Sequence, residues 1–186
     1  MRAAAIAPAL LAVGLCERAG AEPPGGRIVS EAKGGVLAHG LGVFAGGRES
    51  GADINAELLF APPGLVEAEG VLGRLANPRP HLGLQLNTAG ETSQVYAGLT
   101  WTLRPLEAPV FLGLSAGGTV HTGDLDEARR QTALGSRVLF RLAAELGWQL
   151  TGRLSVSLYY DHESNANLAD ENEGLNNAGL RVGWRF

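Results

Sequence analysis

Apolar side chains alternate with small or polar ones along most of this sequence, in segments about ten residues long. Successive side chains of a β-strand point to opposite faces, so a period of two predicts a strand with one apolar face. An amphipathic helix would need a period of about 3.6 residues instead. The last segment shows the alternation most clearly, and its apolar face carries Ala178, Leu180, Val182, Trp184 and Phe186.

The same alternation recurs upstream and brings the number of predicted strands to eight. Residues 138–150 would also suit a helix, but their even positions are all apolar, which favours a strand. The first strand is predicted over residues 32–44. The other predicted strands contain the apolar rows at residues 54–60, 82–86, 95–103, 110–116, 154–160 and 178–186.

Eight such strands fit either a soluble sandwich or a membrane barrel, because the apolar face can pack on a second sheet or meet lipid. A length of about ten residues suits a tilted membrane crossing, and Phe186 is a terminal aromatic residue of the kind that outer-membrane barrels usually carry. With both termini periplasmic, the aromatic residues also form two interfacial girdles. We therefore predict an all-β fold, an eight-stranded antiparallel transmembrane β-barrel. The inner girdle contains Phe60, Trp101, Trp148, Trp184 and Phe186, and the outer one contains Phe140 and Tyr160.

The first 21 residues have the pattern of a secretory signal peptide. Arg2 precedes an apolar stretch, and Ala19, Gly20 and Ala21 form an A-x-A cleavage site. We therefore predict a signal peptide over residues 1–21, a barrel domain over residues 22–186 and a location in the cell outer membrane.

Composition excludes several other classes of protein. Apolar residues make up 45% of the chain, enough for an ordered core, and the formal net charge of −4 argues against a nucleic-acid partner. The single Cys excludes a disulfide scaffold and a thiolate metal site. Past the signal, no stretch approaches the roughly 20 consecutive apolar residues of a membrane helix.

Two polar residues continue the apolar, lipid-facing row of the seventh strand. His162 and Ser164 share the parity of Leu158 and Tyr160, so an imidazole and a hydroxyl meet on one face at the outer rim. Histidine as base and serine as nucleophile would form an esterase pair beside the ester-linked chains of surface lipid. The alternative is an ordinary polar loop start, since such tripeptides are common.

The residues around this pair resemble the PagL type of lipid A 3-O-deacylase. The resemblance is specific over residues 154–186 and loose upstream. It implies that Ser164 attacks the ester at the 3 position of lipid A, that His162 is the general base and that Asn165 belongs to the oxyanion region. It implies lipid A or lipopolysaccharide as substrate, with no metal and no other cofactor. The matching residues are His162, Ser164, Asn165, Ala166, Asn172, Gly174, Leu175 and the closing GWRF.

One position departs from the family. The triad glutamate of the family corresponds to Asn176, whose parity places it in the same outer groove, roughly opposite Ser164. An amide oxygen can hold the tautomer of an imidazole but cannot supply a full negative charge. Glu163 and Glu173 have the opposite parity and are not expected to replace it. The alternatives are a non-catalytic barrel that binds surface lipid and a soluble secreted β-protein, and a homodimer is left open.

The remaining polar residues carry no predicted chemistry. The loop acids Asp170, Glu171 and Glu173 lack the pattern of a calcium loop and are expected to be solvated. The other histidines are expected to be structural. The connection at residues 61–79 is long for a periplasmic turn, which indicates a short helix or an error in the strand count there. The structural histidines are His39, His81 and His121.

Overall fold

Antiparallel pairing follows chain order from the first strand to the eighth, and the eighth strand pairs with the first. The computed structural model describes residues 27–42, 48–64, 73, 75–104, 108–126 and 131–186. The predicted closed eight-stranded barrel is therefore confirmed, while the predicted signal at residues 1–21 lies outside the described residues. The strands are β1 Val29–Ala38, β2 Ala52–Phe60, β3 Arg79–Asn87, β4 Gln94–Leu103, β5 Val110–His121, β6 Val138–Gln149, β7 Leu154–Ser164 and β8 Leu175–Arg185.

The first strand is displaced from its predicted position. We expected residues 32–44, but β1 is Val29–Ala38. The backbone of Gly40 has a φ of 65°, a left-handed conformation that ends the extended chain. The apolar alternation continues past this glycine in the sequence, which made the predicted strand too long.

The two faces of the sheet have the polarity expected of a membrane barrel. On β8, Leu180 is 69% exposed and points outward, while the adjacent Arg181 is 1% exposed and points into the lumen. The outward apolar rows pack on no second sheet in the described structure, so the sandwich alternative is wrong. No helix among the described residues is long and apolar enough to cross a membrane.

Buried ion pairs and hydrogen bonds fill the narrow lumen. Arg181 contacts Glu57 at 2.7 Å, and Arg141 contacts Asp161 at 3.1 Å. The guanidinium of Arg141 also lies 3.6 Å from the ring centroid of Tyr96. Because these charged side chains are buried, leaving one of them without a partner of opposite charge would be costly.

Glycines make room for aromatic rings in this lumen. A Cβ atom at Gly147 would lie 2.1 Å from the ring of Phe111, and one at Gly83 would lie 2.3 Å from the ring of Tyr96. Such distances are impossible between non-bonded carbon atoms, so glycine is required for the rings to fill an eight-stranded barrel. This explains part of the high glycine content, 27 residues in 186.

The long connection between β2 and β3 contains a helical turn. Gly73, Leu75 and Ala76 are helical, and the backbone N–H of Asn77 donates to the carbonyl of Gly73 at 3.0 Å. The indole N–H of Trp101 donates to the carbonyl of Leu75 at 3.0 Å. The strand count around this connection is therefore correct, and the connection packs against an aromatic residue of the inner girdle.

Candidate functional site

His162 and Ser164 lie at the outer end of β7 and share its outward face. In the pairing of β7 with β6, His162 lies opposite Leu142 and Ser164 lies opposite Phe140. Both side chains are half-buried, unlike the fully buried Glu163 between them, which points into the lumen. The structure therefore brings the predicted imidazole and hydroxyl together on the lipid-facing wall.

Asn176 lies directly opposite His162 on β8, which corrects the expectation that it would face Ser164. The ladder between β7 and β8 ends at the pair Glu163 and Leu175, so Ser164 lies beyond it. Asn176 Oδ1 lies 2.7 Å from His162 Nδ1. The antiparallel register thus gives the asparagine a direct hydrogen bond to the imidazole.

The orientation of the Asn176 amide follows from its other contacts. Nδ2 donates to the carbonyl of Leu41 at 3.1 Å, and the phenol of Tyr160 donates to Oδ1 at 2.7 Å. A carbonyl only accepts, so Nδ2 must face Leu41 and Oδ1 must face His162. His162 Nδ1 therefore carries a proton and donates it to Oδ1. The neutral imidazole is then unprotonated at Nε2, the form that a general base requires.

The segment that carries Leu41 is held by a buried cluster at the outer end of the barrel. His39 Nδ1 lies 2.8 Å from Asp53 Oδ2, and His39 Nε2 lies 3.0 Å from Glu49 Oε2. Glu49 also accepts hydrogen bonds from the backbone N–H groups of Thr92, at 2.8 Å, and Thr132, at 3.0 Å. One carboxylate therefore ties together three outer loops. His39 is structural, as predicted from the sequence.

His39 and Glu49, the two ionisable residues of this cluster that lie outside the strands, have shifted pKa values. Burial favours the neutral imidazole, but the hydrogen bonds to Asp53 and Glu49 outweigh it and raise the pKa of His39 to about 9. Burial likewise favours a protonated Glu49, but hydrogen bonds from His39 and Thr92 outweigh it and lower the pKa of this carboxyl group to about 2. At neutral pH the cluster is an ion pair.

No hydrogen bond joins Ser164 to His162 among the described residues. The two side chains are two positions apart on one face of β7, within reach of each other by rotation about their side-chain bonds. Hydrogen bonds of catalytic groups are often long without substrate and shorten when it binds.

Asn165 directs its hydrogen-bond donors into the loops. Its backbone N–H donates to Asn172 Oδ1 at 2.9 Å, and its buried side-chain amide donates to the carbonyls of Leu134 and Glu171. Ala166 and Asn167, the next two residues, have left-handed φ values of 55° and 60°. In this structure Asn165 therefore holds the turn that follows Ser164.

An apolar groove of about 310 Å³ adjoins His162 on the outer wall. Its floor contains Ala144, which pairs with Tyr160 across β6 and β7. The next outward residues of β6, Leu142 and Leu146, are both more than half exposed, so the small side chain of Ala144 leaves a notch between them. Sequence reasoning missed this groove, although one alanine in an outward row of large side chains was the available signal. The lining residues are Leu142, Ala143, Ala144, Tyr160 and His162.

The two nearby glutamates do not contact the imidazole. Glu163 is buried in the lumen, with Oε1 3.3 Å from Arg141 Nε. Glu173 pairs with Arg48 at 2.7 Å and accepts the backbone N–H of Ala133 at 2.8 Å. In the described parts of the chain, Asn176 is thus the side chain that orients His162. Those parts also contain no group of three acidic, histidine or cysteine side chains placed to hold a metal ion.

A family model described as lipid A 3-O-deacylase (PagL) matches residues 73–185, more than half of the chain. The chain belongs to the PagL family. The match extends from β3 through β8 and includes His162, Ser164 and Asn176. The resemblance noted over residues 154–186 is confirmed, and this PagL-family chain is an outer-membrane protein, as predicted.

Solved structures give the same fold. The crystal structure of the outer membrane enzyme PagL superposes with a TM-score of 0.62 at 16% identity, over 84% of this chain and all of that chain. The N-terminal β-barrel domain of Pseudomonas aeruginosa OprF superposes with a TM-score of 0.54 at 12% identity, over 87% of this chain and all of that chain. Among curated proteins, no sequence shows significant similarity.

Proposed function

We propose that this chain is a serine esterase that removes the ester-linked acyl chain at the 3 position of lipid A. One observation carries the proposal: the network around Asn176 leaves His162 with a proton on Nδ1 and a free Nε2 beside the outward Ser164. The pair lies on the wall that meets surface lipid, next to an apolar groove. Membership of the PagL family supports the same reaction.

The proposed reaction transfers the acyl group twice, first from lipid A to Ser164 and then from Ser164 to water. Ser164 Oγ attacks the ester carbonyl while His162 Nε2 takes its proton, and the tetrahedral intermediate collapses to an acyl-enzyme. The imidazolium returns that proton to the departing 3-hydroxyl group of lipid A. Water then attacks the acyl-enzyme with His162 again as base, which releases the fatty acid and restores Ser164. Asn176 Oδ1 holds the imidazole in place throughout both transfers.

The oxyanion site is assigned to the turn that follows the nucleophile. The sequence predicts Asn165 as part of this region, but its own backbone and side-chain donors already have acceptors, so we propose that it contributes by holding the turn. The backbone N–H groups of Ala166 and Asn167 have no acceptor among the described residues. Donors of this kind stabilise the negative charge that develops on the carbonyl oxygen during attack. Substrate binding at these two groups is part of the proposal.

The groove gives the acyl chain a place beside the reacting ester. Its lining is almost entirely carbon, and His162 stands at its margin. An acyl chain in this groove would be aligned along the outward rows of β6 and β7, so its ester would lie near the imidazole. Fixing the ester there converts the attack into an effectively unimolecular step.

The test is the mass of lipid A from cells that carry hydroxyacylated lipid A and express the chain. We expect the loss of one acyl chain with the unchanged protein, and none with Ser164→Ala. Ser50→Ala, which alters an exposed loop serine far from the site in the sequence, serves as the control and should leave the loss intact. Unchanged lipid mass with folded wild-type protein in the outer membrane would overturn the proposal.

A further inference from the structure

The hydroxyl of Tyr160 has one hydrogen bond among the described residues, and its acceptor is Asn176 Oδ1 at 2.7 Å. Tyr160 lies on the outward face of β7, two positions before His162. The same oxygen accepts the proton of His162 Nδ1. Tyrosine, asparagine and histidine therefore meet at one atom, in a chain where the PagL-type glutamate is absent.

An amide creates a problem that a carboxylate does not have. A carboxylate presents two acceptors, whereas an amide presents an acceptor in one orientation and a donor in the other. If the Asn176 amide were reversed, Nδ2 would face His162 Nδ1, which would have to accept and lose its proton. The imidazole would then carry its proton on Nε2 and could not take one from Ser164.

The position of the Tyr160 hydroxyl disfavours this reversal of the amide. In the observed orientation its proton has Oδ1 as acceptor. In the reversed orientation its oxygen would accept from Nδ2, and its proton would need another acceptor on the wall that faces lipid. None is present among the described residues, and leaving a partly buried donor unsatisfied is costly. The Leu41 carbonyl opposes the reversal from the other side, since it would then face Oδ1.

We propose that Tyr160 is a positioning residue of the PagL-type site in this chain: its hydroxyl fixes the Asn176 amide and thereby keeps the proton of His162 on Nδ1. The inference rests on the proposed esterase function for its catalytic consequence, but the proton position is a property of the folded barrel alone. A carboxylate presents an acceptor in either orientation because it is symmetric. In this chain the hydrogen bond of Tyr160 supplies part of that effect by fixing one orientation of the amide.

The first test reads the proton position directly, by nitrogen NMR of the ¹⁵N-histidine-labelled barrel in detergent micelles. The His162 signals are assigned from their absence in His162→Gln. We expect the Nδ1–H tautomer in the wild type and, in Tyr160→Phe, a fraction of the Nε2–H tautomer that rises about fivefold to tenfold, as the loss of one hydrogen bond implies. An unchanged tautomer fraction in Tyr160→Phe would overturn the proposal.

The neighbouring tyrosine provides a matched control. Tyr159 points into the lumen, where its hydroxyl contacts Arg141 and Asp161 and does not contact Asn176. Tyr159→Phe makes the same chemical change one residue away, on the other face of the strand. We expect the His162 tautomer to stay as in the wild type. A shift as large as that of Tyr160→Phe would mean that the barrel as a whole, not the hydroxyl bond, sets the tautomer, and would contradict the proposal.

The second test compares deacylation rates in two backgrounds. Tyr160→Phe should slow the reaction about fivefold to tenfold beside Asn176 and have little effect in Asn176→Glu, where no amide can reverse. Equal losses in both backgrounds would indicate a merely structural role and overturn the inference. If no variant deacylates lipid A but the tautomer shifts as expected, the proposed function fails and the positioning role stands.

Discussion

At the scale of single residues, the site depends on which atom of Asn176 faces His162. The amide oxygen holds the Nδ1 proton, so the site keeps the correct tautomer without a carboxylate. It lacks the negative charge that would stabilise the imidazolium in the proposed reaction. Loss of a triad carboxylate in a serine protease costs about 10⁴ in rate, largely through the wrong tautomer. Because the tautomer is held here, we expect a smaller deficit.

Asn176→Glu should therefore raise the deacylation rate. A charge-assisted hydrogen bond is about twice as strong as a neutral one, so we expect an increase of about tenfold. Asn176→Gln has the same length as the glutamate variant and no charge, and it separates charge from size. Rates of acyl release from purified lipid A in micelles provide the measurement. A glutamate variant no faster than the glutamine variant would show that charge is not what the site lacks.

At the scale of elements, the outward rows of β6 and β7 form the apolar side of the site. Large side chains line both rows, and Ala144 is the small residue opposite Tyr160. The groove needs both strands, because Tyr160 and His162 of β7 line one side and Leu142 of β6 lines the other. The antiparallel register therefore places the groove next to the imidazole.

Ala144→Leu should fill this groove and displace the acyl chain. We expect a fall in deacylation of roughly tenfold, the equivalent of about two CH₂ groups left unburied. Ala97→Leu is the matched control, since Ala97 is also an exposed, outward alanine but lies on β4. Both variants are compared with the wild type for acyl release and for resistance to unfolding in detergent. Equal rates in the three proteins would show that the chain does not occupy the groove.

At the scale of the whole molecule, charge is concentrated inside the barrel and at its outer end. The lumenal ion pairs hold the strands from within, and Glu49 links the outer loops that contain Thr92 and Thr132 to His39. Leu41, whose carbonyl orients the Asn176 amide, follows His39 by two residues, and its backbone N–H donates to the carbonyl of Asn176 at 2.8 Å. The stability of the outer end therefore bears on the geometry of the site.

The pH dependence of stability follows from the two shifted groups. The pKa of His39 rises from 6.5 to about 9 on folding, so its contribution is complete below pH 6.5 and is lost as the pH rises through 9. The pKa of Glu49 falls from 4.5 to about 2, so its contribution is complete above pH 4.5 and is lost as the pH falls through 2. Both are present in full between pH 4.5 and 6.5.

Thermal unfolding in detergent provides the measurement. We expect a lower Tm at pH 10 than at pH 6 for the wild type, and a smaller difference for His39→Gln, which removes the titrating imidazole. Glutamine places an amide donor where the imidazole lies, so the variant removes the charge with little change in side-chain volume. A wild-type Tm that is equal at the two pH values would contradict the ion pair.

The sequence by itself determined the barrel, the lipid-facing row that contains His162 and Ser164, and the departure at Asn176. These follow from local rules: a period of two assigns faces, and the identity of a residue decides whether it can carry charge. The end of β1 was missed because alternation does not reveal that the backbone turns left-handed at Gly40.

Only the tertiary structure decided which residues meet across strands. The register between β7 and β8 places Asn176 opposite His162, and the segment after β1 brings the Leu41 carbonyl to its amide. The groove at Ala144 and the occupied donors of Asn165 likewise depend on partners distant in the chain. Parity fixes the face on which a side chain lies, but the register and the loops fix the atoms that it contacts, because these depend on how the whole barrel closes.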